Sequence, residues 1–499
     1  MTITVETPVA APVPASIPAP ATPKAAGHPR RWLGLSVILA ATLMNLLDST
    51  VVSVAAPAIR VDLGGSLASL QWMAAGYTLA LAVALLTGGR LGDMFGRKPM
   101  LMAGAVGFVA TSVACSFAAS PEMLIAARVV QGLFGAVMIP QCFGLIRDLF
   151  GATNMGKAYA VFGPAIGLAT ILGPIVAGFL VDADLFGTGW RMIFLINVPI
   201  SAYALAVGAK VLPAPVATAR AGGLDLTGML LGGAGMFMLV YPLVQGRELG
   251  WPTWLAAMLA GSVPVLAGFV AHQLRRGRAG RIPLVRLSVF AKRSYSSGVL
   301  FIIVFFGAIV GFSLAIGLFL QLGMGYSPLG ASLATATWAV GGFLGSGVSG
   351  ATMNRLGRRI LHISLSVMIA GIAGLYVMLS WQGTGFSAWH LAIPMLVFGA
   401  GMGAIFVPLF DIIVADIEDH EVGSASAALE SIQQLGASLG VAVIGTIFFS
   451  VMGTATAYEA HRQSSLDAVQ WVALISIALT AVAFAIGFLL PRKARAGVS

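Results

Sequence analysis

Fourteen apolar runs, each close to the length of about 20 residues that a membrane-spanning helix requires, follow one another along this sequence of 499 residues. Charged residues make up only 9% of the chain, whereas soluble domains carry about 25%. We therefore predict an all-α membrane protein with 14 transmembrane helices. The expected spans are residues 33–56, 68–87, 100–119, 122–146, 158–181, 191–212, 226–245, 253–273, 296–321, 329–350, 360–380, 389–411, 425–450 and 468–490.

The positions of the basic residues indicate how these helices are oriented. With the first helix starting in the cytoplasm, 23 of the 28 Lys and Arg residues fall in cytoplasmic segments and four fall outside. The positive-inside rule then favours a multi-pass protein of the plasma membrane with both termini in the cytoplasm. The net charge of +10 therefore reflects loops on one side of a membrane, and we expect no nucleic-acid partner. Residues 1–29, rich in Pro and Ala, and residues 491–499 are expected to be cytoplasmic tails, the first of them disordered.

The sequence shows no residue pattern typical of enzyme chemistry. Cys115 and Cys142 are its only cysteines, both fall inside predicted spans, and no metal-ligand spacing accompanies them. The glycines of residues 88–92 join two membrane helices rather than a strand and a helix, so they do not form a nucleotide-binding loop. We therefore predict neither catalytic residues nor a metal or other cofactor.

A short charged turn between the second and third spans occurs twice in the chain. Residues 88–99 read GGRLGDMFGRKP. At an offset of 261 positions, residues 350–359 read GATMNRLGRR, with Asn354 in the place of Asp93. Glycine lets the backbone turn sharply between helix ends that nearly touch. The repetition predicts a duplicated half, and thus two similar bundles of helices.

Ionisable residues inside the spans mark the candidate site, because each costs roughly 2.5–3.5 kcal/mol near the centre of a membrane helix. Asp48 in the first span and Arg128 in the fourth lie at similar depth. An ion pair at ~4 Å recovers about 4 kcal/mol at an effective dielectric constant of about 20, which favours direct pairing. Burial favours the neutral form of Asp48 and Arg128 favours its charged form, so the pair can act as a proton-titrating site. A static structural ion pair is the alternative.

Polar residues in the spans are candidates for the lining of a substrate cavity. They are Asn45, Ser49, Gln131, Glu430 and Gln433. The first two lie at helical spacing with Asp48, as expected of a helix face turned to a watery cavity rather than to lipid. Glu430 has two interpretations: it lines the cavity and meets a cationic substrate, or it pairs with a basic residue near the inner mouth.

The fifth span contains two Gly-Pro steps, at residues 163–164 and 173–174. Proline removes a helical hydrogen bond and glycine allows close approach, so this helix is expected to be bent and tightly packed. We predict that Gly173, Pro174 and Gly178 belong to a moving or sealing element. A helix that is merely kinked for packing is the alternative.

These motifs resemble those of the major facilitator superfamily, and in particular its branch of fourteen-spanner drug:proton antiporters. Residues 89–98 are similar to the motif between spans 2 and 3, and residues 128–132 (RVVQG) to the span 4 motif. Residues 47–57 (LDSTVVSVAAP) resemble the span 1 motif, with Ser in the place of the usual Asn. Residues 173–178 (GPIVAG) resemble the antiporter motif, with Ala in the place of one Gly, and residues 190–199 (WRMIFLINVP) also fit the branch.

The resemblance implies the major facilitator fold, with six-helix bundles at residues 30–212 and 295–490, and two extra helices with a basic loop at residues 213–294. It also implies a monomeric, proton-coupled secondary transporter that exports hydrophobic drugs or antibiotics, cationic ones among them, by alternating access. Protons are expected to bind at Asp48 and Arg128, so that the proton gradient supplies the energy. The conformational latch of the family is expected at Gly89, Gly92, Asp93, Gly96, Arg97 and Lys98.

Other functions remain open on the same fold. A proton symporter and an exporter of lipids or metabolites would share the architecture and the buried charges. A membrane sensor without transport activity would not require Asp48 to titrate.

Overall fold

The computed structural model describes residues 29–213, 223–246, 248–281, 283–285, 287–413, 416–417, 422–453 and 458–491. Every regular element in these ranges is helical, as predicted. The α-helices are α1 (Arg31–Leu63), α2 (Leu67–Phe95), α3 (Arg97–Ser116), α4 (Pro121–Asp182), α5 (Met192–Leu195), α6 (Asn197–Val211), α7 (Leu226–Gln245), α8 (Thr253–Arg278), α9 (Arg293–Leu318), α10 (Pro328–Leu356), α11 (Arg359–Gln382), α12 (Ala388–Ile413), α13 (Val422–Met452) and α14 (Tyr458–Gly487).

The number of membrane spans differs from the expected fourteen. In the described part of the chain, 12 helices are long and apolar enough to cross a membrane. The fourth and fifth expected spans are two helices that meet at a kink at Gly151 (φ 65°, ψ 168°), and together they make up α4. Beyond that turn, only Leu172–Asp182 is recognised as a further, shorter apolar helix. The tenth expected span coincides with α10, which is rich in Gly, Ser and Thr and is not among the 12. Fourteen spans are therefore not confirmed.

Glycines end the helices at both copies of the charged turn. Gly96 (φ 92°) separates α2 from α3, and Gly357 (φ 49°) separates α10 from α11. Residues with a Cβ atom rarely adopt this left-handed conformation. In each copy, a basic residue after the glycine caps the end of a later helix: Lys98 donates to two carbonyls at the end of α6, and Arg358 to two carbonyls just after α14. Cations at helix C-termini are favourable because they satisfy free carbonyls and oppose the helix dipole.

Buried apolar side chains form separate cores in the two halves of the chain. Residues of α1 to α6 share two clusters, whereas a larger cluster is built mainly from α9 to α14. The halves meet where α2 packs on α13 and where the part of α4 beyond Gly151 packs on α10; we call these contacts the seam. A fourth cluster, which includes Ala68, Val240 and Ala442, joins α2, α7 and α13, so α7 packs against the seam.

The helices define two faces that are named here by their residues. The basic face, where α1 begins and α2 ends, carries Arg90, Arg97 and Lys98. The opposite face, where α1 ends and α2 begins, carries Asp62 and Asp182.

Candidate functional site

Asp48 of α1 and Arg128 of α4 meet in the interior of the first half. The Arg128 Nη1 atom forms an ion pair with Asp48 Oδ2, and Nη2 donates to the main-chain oxygen of Asp48 at 3.2 Å. The Nε atom donates to the carbonyl of Met73 on α2, also at 3.2 Å. Both charged residues are only 1% exposed. Because all three guanidinium nitrogens are used, Arg128 is held as a fixed counter-charge.

Three neutral polar residues complete the surroundings of the carboxylate. Gln131 Nε2 donates to Asp48 Oδ1 at 2.9 Å and to Ser112 Oγ at 2.8 Å, while Gln131 Oε1 accepts from Arg128 Nη1 at 2.8 Å. Asn197 Nδ2 lies 3.2 Å from Asp48 Oδ1 and 3.2 Å from Ser112 Oγ. All three residues are buried. The network thus supplies donors to both oxygens of Asp48.

An aromatic ring covers the other side of the guanidinium group. The Arg128 Cζ atom lies 4.2 Å from the ring centroid of Tyr77, a favourable cation–π contact. The Tyr77 hydroxyl donates to Asn45 Oδ1 at 2.6 Å, so Asn45 is tied to the charged pair through this ring. Ser49 is half-buried, and its hydroxyl donates to the carbonyl of Leu46 at 2.8 Å.

In this arrangement, the position of Arg128 determines whether the protonated or the charged form of Asp48 is favoured. Two buried charges that satisfy each other lose much of their stabilisation when one partner moves, because an unpaired buried charge is strongly unfavourable. Displacement of Arg128 would therefore favour protonation of Asp48, and its return would favour release. Asp48 and the four polar residues linked to it belong to α1, α3, α4 and α6 of one half.

The charged turn at the basic face joins α2 and α3 to α4. Arg97 Nη1 donates to a main-chain carbonyl of α4 at 3.1 Å and to Asp148 Oδ1 at 2.8 Å. The Asp93 Oδ2 atom lies 3.9 Å from Arg90 Nη1. The basic side chains of this turn thus contact α4 and α6, which places the expected latch residues at one helix junction.

The glycines of the same turn allow α2 to approach α4 closely. A Cβ atom on Gly92 would overlap the side chain of Gln141, and one on Gly89 would lie 3.7 Å from Pro140 Cβ. Gly92 therefore leaves space for the Gln141 amide, which an added side chain would displace, whereas Gly89 has room for a small side chain.

The Gly-Pro segment of the fifth expected span packs between the two halves. A Cβ atom on Gly173 would lie 3.1 Å from Thr50 Oγ1 of α1, and one on Gly178 would lie 2.6 Å from Leu329 Cα of α10. Pro174, between these contacts, is half-buried. A side chain is therefore excluded at Gly178 by the main chain of α10, and Gly173 packs tightly on α1.

Two acidic residues organise the opposite face. Asp182, at the end of α4, accepts hydrogen bonds from Ser327 Oγ at 2.6 Å and from the N–H of Leu329 at 3.1 Å, and so caps α10 across the seam. Asp62, at the end of α1, accepts hydrogen bonds from Trp190 Nε1 at 2.9 Å and from Arg191 Nη1 at 2.7 Å. Asp182 thus links the two halves at the opposite face, whereas Asp62 binds residues of its own half.

Glu430 and Gln433 of α13 lie away from the charged pair. Glu430 is half-buried and hydrogen-bonds the side chain of Gln434. Among the described residues, no basic side chain lies within ion-pair distance of it, and both interpretations of Glu430 stay predictions. Ser431, the next residue, donates to the α2 main chain, so this part of α13 borders the seam.

Sequence reasoning missed Asn197, Ser112 and Tyr77 as parts of the site. Asn197 lies in the stretch WRMIFLINVP, which resembles a family motif, and an isolated Asn in an apolar run is a usable signal. Ser112 and Tyr77 carry no such signal, because Ser and Tyr are common in membrane helices and only the tertiary contacts reveal them.

Comparison with known proteins places this chain in a family. The profile of the Major Facilitator Superfamily matches residues 38–441. The chain is 49% identical over 434 residues to the probable actinorhodin transporter of Streptomyces coelicolor, covering 86% of this chain and 75% of that protein. It is 33% identical over 437 residues to the tetracenomycin C resistance and export protein of Streptomyces glaucescens, covering 87% and 78%. The crystal structure of the nucleoside transporter NupG shares the fold, with a TM-score of 0.62 at 16% identity over 92% of this chain and 99% of that one.

Proposed function

Because the chain belongs to the Major Facilitator Superfamily, we propose that it exports hydrophobic drugs or antibiotics, cationic ones among them, in exchange for protons. Members of this family are membrane transporters and not enzymes, and the relatives above are named for transport of actinorhodin and for resistance to and export of tetracenomycin C. Export of a small antibiotic-like molecule is the function that these names favour. The substrate itself is left to experiment.

The proposal includes an architecture for transport. Fourteen helices span the plasma membrane with both termini in the cytoplasm, so the basic face is the cytoplasmic face. Residues 30–212 and 295–490 form two six-helix bundles that rock about the seam, and residues 213–294 add two helices and a basic loop between them. The protein acts as a monomer, because each chain contains both bundles.

One observation carries the proton coupling: Asp48 and Arg128 form a fully buried ion pair, held by neutral donors, inside the first bundle. A carboxylate of this kind binds a proton when its counter-charge moves and releases it when the pair re-forms. Protonation can bias the two transport states only if the proton affinity differs between them. Rocking of the bundles supplies that difference through α2 and the part of α4 beyond Gly151, which contact the second bundle and transmit its motion to the packing of α1 on α4.

We assign the substrate side of the cycle to the cavity between the bundles, with Glu430 and Gln433 at its edge. The carboxylate of Glu430 would attract a cationic substrate, since it has no basic partner among the described residues. We expect Glu430→Gln to lower resistance to cationic compounds more than resistance to neutral ones. An equal effect on both classes would exclude this role.

The test of coupling uses inside-out membrane vesicles with an acidic interior. Addition of a transported compound, chosen by a resistance screen of dyes, cationic biocides and antibiotics, should dissipate the pH gradient. Asp48→Asn should abolish this exchange while substrate binding is retained. The matched control is Asp62→Asn on the same helix, which removes an exposed ion pair with Arg191 and should leave exchange intact.

The alternatives give different results in the same assay. A proton symporter would need a gradient of the opposite direction, and an exporter of lipids or metabolites would respond to those compounds and not to drugs. A sensor without transport would dissipate no gradient, and Asp48→Asn would leave its phenotype unchanged.

A further inference from the structure

Three side chains contact the carboxylate of Asp48, and two of them have fixed roles. Arg128 can only donate hydrogen bonds. Gln131 is oriented by its neighbours, because its Oε1 accepts from Arg128 Nη1 at 2.8 Å while its Nε2 donates to Asp48 and Ser112. Reversal of the Gln131 amide would place its NH₂ group against the guanidinium group, so it cannot serve as an acceptor for Asp48.

Asn197 is the third contact, and it is not fixed in this way. It is fully buried at the start of α6, with Nδ2 3.2 Å from both Asp48 Oδ1 and Ser112 Oγ. Its Oδ1 has no hydrogen-bond partner in the described structure. An unsatisfied buried acceptor is costly, so one beside a proton-binding group calls for an explanation.

We propose that Asn197 is a positioning residue for the transported proton, and that its side-chain amide reverses when Asp48 changes protonation state. This inference rests on the proposed proton coupling. With Asp48 charged, Asn197 Nδ2 donates to the carboxylate. With Asp48 protonated, the amide turns over, and the new O–H group of the acid donates to Asn197 Oδ1.

Ser112 makes both orientations possible. Its hydroxyl accepts from Nδ2 in the observed orientation and can rotate to donate to Oδ1 in the reversed one, since a hydroxyl group has both capacities. The exchange balances: one proton passes from water to Asp48 on loading and from Asp48 to water on release, and no other group changes its charge. Asn197 thereby relieves the penalty of an unpaired acid O–H group in the protonated state.

The other titratable groups facing this site lie on α2, α3 and α4. They are Tyr77, whose ring covers Arg128, Cys115, whose Sγ lies 3.7 Å from Gln131 Oε1, and Arg128 itself. None of the three contacts Asn197 in the described structure, so substitutions of Asn197 act on Asp48 directly.

The test is an infrared titration of purified protein in liposomes, which needs no substrate. The protonated-carboxyl band of Asp48 is identified by its loss in Asp48→Asn, and its midpoint pH is measured in wild type and in Asn197→Leu, a variant of similar size without polar atoms. The donor bond to the charged form is the stronger of the two bonds lost. We therefore expect the midpoint to move to higher pH by about one unit, a roughly ten-fold gain in proton affinity.

A second measurement requires no variant at position 197. In wild type labelled with ¹³C-asparagine, an asparagine amide band should appear in the pH-difference spectrum with the same midpoint as the Asp48 band. The matched control is Ser201→Ala, one turn further along α6. The Ser201 hydroxyl lies 3.3 Å from Met44 Sδ and makes no hydrogen bond to Asp48, so this variant should leave both bands unchanged.

The outcomes separate this inference from the proposed function. If no carboxyl band is lost in Asp48→Asn at any pH, the proton site itself is wrong. If Asp48 titrates but no asparagine band accompanies it and Asn197→Leu keeps the wild-type midpoint, Asn197 has only a structural role and the inference is overturned.

Discussion

Replacement of Arg128 by Met should destabilise the protein in a pH-dependent way, because Asp48 is then buried without a counter-charge. Removing one member of a buried pair typically costs about 3–5 kcal/mol. Protonation of Asp48 limits this cost. If Asp48 is neutral in the folded variant but ionises near pH 3.9 in the unfolded chain, the folded state loses about 1.4 kcal/mol of stability for each pH unit above that value. The penalty is thus at most about 4 kcal/mol at pH 7 and about 1.5 kcal/mol at pH 5. Gln131 and Asn197 still donate to the carboxylate in this variant and reduce the penalty.

The double variant Asp48→Asn/Arg128→Met carries neither charge and should recover most of the loss at pH 7. Unfolding in mixed detergent micelles, followed by circular dichroism at pH 5 and pH 7, measures the difference between single and double variants. The exposed Asp62–Arg191 pair gives a control cycle, since a surface pair contributes only about 0–1 kcal/mol. The reasoning is refuted if the double variant is no more stable than Arg128→Met at pH 7, or if their difference is the same at both pH values.

Three further changes test the seam and the α7–α8 hairpin. Asp182→Ala removes the cap that links α4 to α10 at the opposite face, and we expect a loss of about 1 kcal/mol, which is roughly a five-fold shift towards the open state. Faster labelling of a cysteine introduced by Ala56→Cys would show this shift. The control is Asp184→Ala, which removes only a hydrogen bond within its own loop. Gly178→Val should wedge the same face open and abolish export, because even a Cβ atom there would lie 2.6 Å from the α10 main chain; normal export would contradict this packing. Burial raises the pKa of Asp225, but hydrogen bonds and a nearby positive charge outweigh burial and hold this pKa below the ordinary value of 3.8. The Asp225 carboxylate therefore stabilises α7 above pH 3.8, and this stabilisation is lost as the pH falls below that value. Asp225→Ala should therefore cost about 1 kcal/mol at pH 7 and speed hydrogen exchange at the start of α7, whereas unchanged exchange would count against the cap. The groups that hold Asp225 are His272, the N–H of Gly228, Gln273 and Arg276.

The contact between Asp48 and Arg128 follows from the sequence, because two isolated charges at equal depth in an apolar chain have few other partners. The attraction between two buried charges is strong and involves only two residues, so their contact can be predicted without knowledge of the fold. The same reasoning fails for Asn197, since a neutral amide is tolerated in many places and its role depends on which helix packs beside it. The hydrogen bond that joins Asn45 to Tyr77 was likewise not predicted, while its place in the cavity lining stays a prediction.

The helix boundaries follow from the sequence more closely than the contacts between helices. The sequence separates spans 4 and 5 by hydrophobicity, and the structure turns the chain between them at Gly151, because glycine readily adopts the positive φ of this turn. The contact between the halves at the opposite face could not be predicted at all, because it joins Asp182 to residues that are 145 or more positions away.

Helix α2 contacts both the charged pair and the seam. The carbonyl of Met73 accepts a hydrogen bond from Arg128, and five residues later the Thr78 hydroxyl lies 2.6 Å from the Ser438 hydroxyl of α13. A displacement of Arg128 from Asp48 therefore breaks a contact to the helix that holds the second half.

The part of α4 beyond Gly151 makes a second connection of the same kind. Gly173 packs on Thr50, two residues after Asp48, and Gly178 packs on α10. Coupling between sites travels through packed elements that have two arrangements, and these two helices contact both the site and the seam. By contrast, α3 and α6 pack mainly on helices of their own half. Variants that uncouple proton binding from transport without removing Asp48 should therefore occur on α2 and on this segment of α4, while variants on α3 and α6 should change proton affinity alone.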